Sequence, residues 1–311
     1  MPCWLVHRLW TAITACAATV AFAPAQAESL SWCNRQTEYP APVQDRLLQV
    51  AAVLRAELDA AYRISGQQVA LVARSGQALE LLGHRYSHAG LSLQGNTQTP
   101  WAVRQLYFAC DEQRPRLFDE GLARFVTGNH NPSLGHLLLL LPPPEAATPL
   151  VNTALNDTVA LELLSPHYSA NAHAWSTAYQ NCNQWVAELL ATAWAPAPPP
   201  PGLDARTRAQ AQLRAQGYQP SVIRTPGLPM ALGAAFWPGF HTTDHPTNDL
   251  SAGQFQVSMP KALADWVMQQ WPSTQSIEVC HTEHHLLLRR NGQPLSTTCD
   301  AQTNDEVVKF N

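Results

Sequence analysis

A chain of 311 residues, 46% hydrophobic and only 14% charged, is long enough to bury a real core and too apolar to remain disordered. Its formal charge of −4 gives no electrostatic footing for nucleic acid or an anionic membrane surface. The first residues, MPCWLVHRLWTAITACAATVAFAPAQAES, place Arg8 before an apolar run from Leu9 to Ala23, and Ala25-Gln26-Ala27 then offers a small-x-small cleavage site. A signal peptide over 1–27 is therefore expected, with a mature chain starting near Glu28 in the periplasm or outside the cell. The competing reading, a lipoprotein box at Ile13-Thr14-Ala15-Cys16, is opposed by the residues after Cys16, which stay apolar as far as Ala23. No later segment approaches the roughly 18 continuous apolar residues of a membrane span, so the chain is not expected to cross a bilayer.

Cleavage reduces seven cysteines to five: Cys33, Cys110, Cys182, Cys280 and Cys299. An odd number leaves at least one unpaired within a monomer. Cys33–Cys110 and Cys280–Cys299 are the expected pairs, with Cys182 free, although spacing alone does not fix connectivity.

Over 42–61, Leu47, Ala51, Leu54 and Leu58 recur at helical spacing and predict one amphipathic helix. Residues 68–73 read as a buried strand. Over 87–94 alternation puts Ala89, Leu91 and Leu93 on one side and Tyr86, His88 and Gly90 on the other. Further strands are expected at 101–108 and 137–141, and a helix over 181–194 presents Trp185, Val186, Leu189 and Leu190 to the core. The proline run at 196–202 marks a linker between a first domain, 28–195, and a smaller α+β extension, 203–311. That extension is expected to hold a polar helix at 204–216, a strand at 254–258, a helix opening at Pro260, and a closing hairpin turning at Asn291-Gly292. No internal repeat is visible.

Cys182 lies in YQNCNQW. Asn181 with Gln184 three residues on resembles a capping box, which puts Cys182 in the first helical turn, where unpaired backbone N–H groups and the dipole favour thiolate over thiol. A buried structural cysteine fits the same spacing. A thiolate nucleophile needs a base that can also protonate the leaving group, and imidazole titrates in the right range. His88 is the histidine on a buried strand, and Gly90 two residues on leaves the strand surface beside the imidazole open.

The order of His on a strand, a further strand, then Cys on a helix resembles the circularly permuted branch of the NlpC-type papain-like fold. More closely, YSHAGLSL, WAVRQLYF, LFDEGLARF and YQNCNQWVAELLA resemble an exported bacterial family catalogued as domain of unknown function 2145. The resemblance implies an α+β papain-like domain over 28–195, an antiparallel sheet packed on the Cys-bearing helix. It implies a cysteine hydrolase site with Cys182 as nucleophile, His88 as general base and acid, and Gln105 as the residue that orients His88. Permuted relatives often carry Glu at that last position; a glutamine amide can hold the tautomer but cannot stabilise imidazolium as a carboxylate would. The backbone N–H of Cys182 is the natural oxyanion donor, with Asn183 or Gln184 as a second candidate. Such chemistry needs no cofactor. The expected substrate is an envelope peptide, amide or acyl compound, which fold alone does not narrow.

Two alternatives stand beside this. His241-Thr-Thr-Asp244-His245 and His281-Thr-Glu-His284-His285 carry zinc-type donors, but neither has the helical spacing of a zinc protease motif. Exposed or structural histidines are the better reading, with Asp244-His245-Pro246 fixing a loop near the cleft. The other alternative is a papain-like fold retained as an inactive binding or structural module.

Overall fold

The computed structural model describes residues 38–76, 79–128, 131–196, 202–225, 239–303 and 305–310; the expected signal peptide, Cys33 and most of the proline linker lie outside them. Helix α1 (Ala41–Ser65) is followed by β1 (Val69–Arg74), a 3-10 turn (Glu80–Leu82), β2 (His88–Leu93), β3 (Ala102–Ala109), β4 (Arg114–Glu120), α2 (Leu122–Thr127) and β5 (Gly135–Leu141). Then come α3 (Pro144–Ala154), α4 (Asp157–Glu162), α5 (Cys182–Ala193), α6 (Ala205–Ala215), β6 (Ser221–Arg224), α7 (Thr247–Ser251), β7 (Gln254–Val257), α8 (Pro260–Gln270), β8 (Gln275–His281), β9 (His285–Arg290) and β10 (Glu306–Lys309).

The architecture is mixed α+β, built on an eight-stranded antiparallel sheet of order β10-β9-β8-β5-β1-β2-β3-β4, with β6 and β7 forming a separate pair. The segment expected as a C-terminal extension thus supplies three strands of the main sheet, joined to the N-terminal half through β5 and β8.

Helices cover the sheet on both faces. Leu47, Leu54 and Leu58 of α1 and Phe125 of α2 pack on Ala70, Val72 and Leu139. Leu71, Leu91 and Leu140 face Trp185, Val186, Leu189 and Leu190 of α5 together with Leu263 and Trp266 of α8. Every residue of β1 and β2 is consequently buried, and β2 has no solvent face.

The closing hairpin differs from expectation. Its turn is at Thr282–His284, where the Thr282 hydroxyl accepts N–H bonds from His284 and His285. Asn291 does adopt a left-handed conformation (φ 50°), but it ends β9, and its side-chain oxygen accepts the Ser276 N–H at the start of β8. The Asn-Gly signal is locally correct and serves as a strand stop. Cys280 is bonded to Cys299, as expected. Cys110 is also disulfide-bonded, and Cys182 is free and buried.

Candidate active site

Helix α5 is buried from Cys182 to Ala191, so the polar residues it carries must find partners inside the protein. Asn181 caps it, its side-chain oxygen accepting the Gln184 N–H at 2.8 Å, while its Nδ2 donates to Ala170 O at 3.2 Å. The reciprocal half of a capping box is absent: Gln184 Nε2 turns instead to Ala174 O, Ser176 O and Glu188. That orientation removes its side chain as an oxyanion donor. Asn183 Nδ2 donates to Ser87 O at 3.1 Å, which ties the start of α5 to the residue immediately before His88. The two asparagines flanking Cys182 thus anchor the thiol, one to its own approach loop and one to the histidine strand.

His88 opens β2 opposite Arg74 at the end of β1. Its ring stacks on Tyr107 with centroids 4.6 Å apart, and Nε2 lies 2.8 Å from Gln105 Oε1. Gly90 allows this closeness. A Cβ there would stand 2.6 Å from Val103 Cγ1 and 3.1 Å from Gln105 Cβ, so the missing side chain makes room for β3 rather than for a helix.

Behind Gln105 stands a residue that the sequence left unread. Gln105 Nε2 donates to Glu120 Oε2 at 2.9 Å, and Glu120 also meets Arg124. A carboxylate only accepts, so it fixes which end of the Gln105 amide faces His88: the amide oxygen. That oxygen requires a hydrogen on His88 Nε2, which leaves Nδ1 with its lone pair free to take a proton. Glu120 therefore sets the imidazole tautomer through one intervening amide. The signal for it was present in the LFDEGLARF segment, but only the β3–β4 pairing brings it within reach.

Cys182 and His88 line one cavity of about 120 Å³, with Ser87, Tyr168, Asn171, Asn181 and Asn183 at its polar side. The rest of the lining is apolar: besides Ala170 and Phe240 it comes from the segment between β1 and β2 and from β6, β7 and Met259 just after them. Asp244 and His245 hold the loop that ends in Cys182: Asp244 Oδ2 accepts the His173 N–H at 2.8 Å and His245 Nε2 lies 2.8 Å from Asn171 O. No group of three or more His, Cys, Asp or Glu able to hold a metal occurs among the described residues.

Electrostatics in this site oppose a resting ion pair. Burial pushes the Cys182 thiol up to about 11, against the opposing pull of Arg74 and of the backbone N–H groups of Asn183, Ala89 and Cys182 itself. Burial also holds His88 well below its usual value, Arg74 adds to that, and only Gln105 acts the other way. The helix start does favour thiolate, but the dry surroundings outweigh it. Arg74 is buried at 1% exposure and donates to the Tyr107 hydroxyl at 3.0 Å and to Ser75 O at 3.1 Å. Gly128 makes room for its guanidinium, since a Cβ there would stand 2.5 Å from Nη2. One cation thus stabilises developing thiolate and disfavours imidazolium, so the resting pair near neutral pH is thiol and neutral imidazole.

Residues 61–267, more than half of the chain, match the family described as "Uncharacterized protein conserved in bacteria (DUF2145)". No curated protein and no solved structure matches the chain.

Proposed function

The chain belongs to that family, and we propose that it is a papain-like thiol hydrolase or acyl transferase of the permuted NlpC kind, exported to act on an amide, ester or thioester of the cell envelope. The observation that carries this reading is the chain of contacts from Glu120 through Gln105 to His88, together with the one cavity that His88 shares with Cys182. As Cys182 Sγ attacks the acyl carbon, His88 Nδ1 takes the thiol proton, so ion-pair formation and S–C bond formation occur in one step. The backbone N–H groups of Cys182, Asn183 and Ala89 and the cation of Arg74 lower the cost of negative charge on the sulfur as its proton leaves, and in this reading the Cys182 N–H then turns to the substrate oxyanion. His88 returns the proton to the leaving group as the old acyl bond breaks, and water or another acceptor releases the acyl group by the reverse proton transfers.

The inactive-module reading is favoured by one observation, the thiol raised to about 11. A direct test separates the two. Incubation of the mature protein with an activated acyl ester, acid quench and peptide mapping are expected to place the acyl group on Cys182. In His88→Ala the acylation rate is expected to fall about 10²- to 10⁴-fold, the ordinary contribution of a positioned base. No adduct on Cys182, or an equal rate in both proteins, would leave only the binding-module reading.

A further inference from the structure

The cavity beside Cys182 carries information about the substrate that the nucleophile does not. Its roof is a small apolar cluster of its own, Ile223, Phe255, Val257 and Met259, against which Leu79 and Leu82 pack. All six line the cavity. The roof strands are fixed to the loop leading into Cys182, because His173 bridges to Val257 and Ala174 N–H donates to Gln256 O at 2.9 Å. None of the described lining residues is Asp, Glu, Lys or Arg. The floor keeps two unused polar atoms: Asn171 Nδ2 and Asn183 Oδ1 are buried without a hydrogen-bond partner, although both residues line the cavity.

We infer that this cavity holds the acyl portion of the substrate, and that this portion is an uncharged, apolar group of roughly four to six carbons, given that an apolar cavity of about 150 Å³ accommodates benzene. The inference rests on Cys182 being the nucleophile. The acyl group stays bound through the covalent intermediate and gains from an enclosed site, whereas the leaving group has to depart. A charged acyl group would lose its hydration with no partner of opposite sign on the lining, which sets this site against the charged stems of wall peptides. Asn171 Nδ2 offers a donor to a carbonyl oxygen, and Asn183 Oδ1 an acceptor to an N–H or O–H of the substrate.

The test is acylation of Cys182 by a series of p-nitrophenyl esters, followed by intact mass and peptide mapping: acetyl, butyryl, hexanoyl, decanoyl and the fixed cation 4-trimethylammoniobutyryl. The rate is expected to rise about fourfold per added methylene as far as butyryl or hexanoyl, the gain for burying a CH₂, and then to drop for decanoyl. The cationic ester is expected to be at least about a hundredfold slower than butyryl. In Phe255→Ala, which enlarges the roof, the optimum is expected to move to longer chains. Equal rates across the wild-type series, or ready acylation by the cationic ester, would overturn the substrate class while leaving Cys182 a nucleophile. Failure of every ester to acylate Cys182 would remove the nucleophile reading and this inference with it.

Discussion

Glu188→Ala is expected to cost about 3–5 kcal/mol of folding stability, the usual result of leaving one member of a buried ion pair alone. Glu188 is completely buried on α5 and receives both Nε (2.8 Å) and Nη2 (3.0 Å) of Arg206. Gln180 at 2.6 Å, Gln210 at 2.9 Å and Gln184 at 3.3 Å also donate to it. Arg206 also donates to Thr177 O and Tyr179 O in the loop that delivers Cys182, so the cluster joins α5, α6 and the approach to the nucleophile. Alanine would take the carboxylate acceptor from a guanidinium and three amides in a dry interior, whereas the paired replacement Glu188→Leu with Arg206→Leu is expected to recover most of the loss. Urea unfolding with unchanged m-value measures both. A single-variant loss below about 1 kcal/mol would mean that the pair is solvated.

Acid is expected to have the second large effect. His136 and His281 are both held at about 4, each chiefly by burial, with Arg85 adding to the first and Arg46 and His136 to the second. The unfolded chain titrates its histidines near 6.5. Below that pH the unfolded state binds more protons than the folded one, so stability rises with pH through this range. The contribution is complete above about 6.5 and is lost as pH falls toward 4, up to about 3 kcal/mol for each residue. His88, lowered for the same reason, acts in the same sense. Unfolding free energy measured at several pH values is expected to fall by at least about 3 kcal/mol per unit in this window, and His136→Asn should lower the slope by about 1.4 kcal/mol per unit. A flat profile would contradict burial of these two rings as neutral groups.

Local features of this protein are legible in its sequence, and features made by distant pairing are not. The α1 face of Leu47, Ala51, Leu54 and Leu58 and the cap at Asn181 follow from spacing and side-chain chemistry within one turn or two. The Cys280–Cys299 bond is as expected, but the two cysteines lie on β8 and in the segment after β9 rather than on either side of one hairpin. The same Asn-Gly pair that signals a turn was misplaced because φ > 0 serves a strand stop as well as a hairpin. Glu120 became visible only through the β3–β4 register, and the apolar roof only through a strand pair some 40 to 75 residues beyond Cys182. The state of the thiol depends on a balance between helix-start donors and desolvation, and desolvation is a property of everything packed around it.

The most direct measurement of the Cys182–His88 pair is the rate of iodoacetamide alkylation at Cys182, located by peptide mapping, from about pH 6 to about pH 11 in wild type and His88→Ala. A neutral pair reacts through transfer of its own proton, so wild type is expected to show a pH-independent rate near neutrality, then a climb of about tenfold per unit toward the thiol value of about 11. Removing the imidazole should abolish the flat region and keep the climb. A flat region that survives in His88→Ala, or a Cys182 that is never labelled, would show that the two residues do not act together.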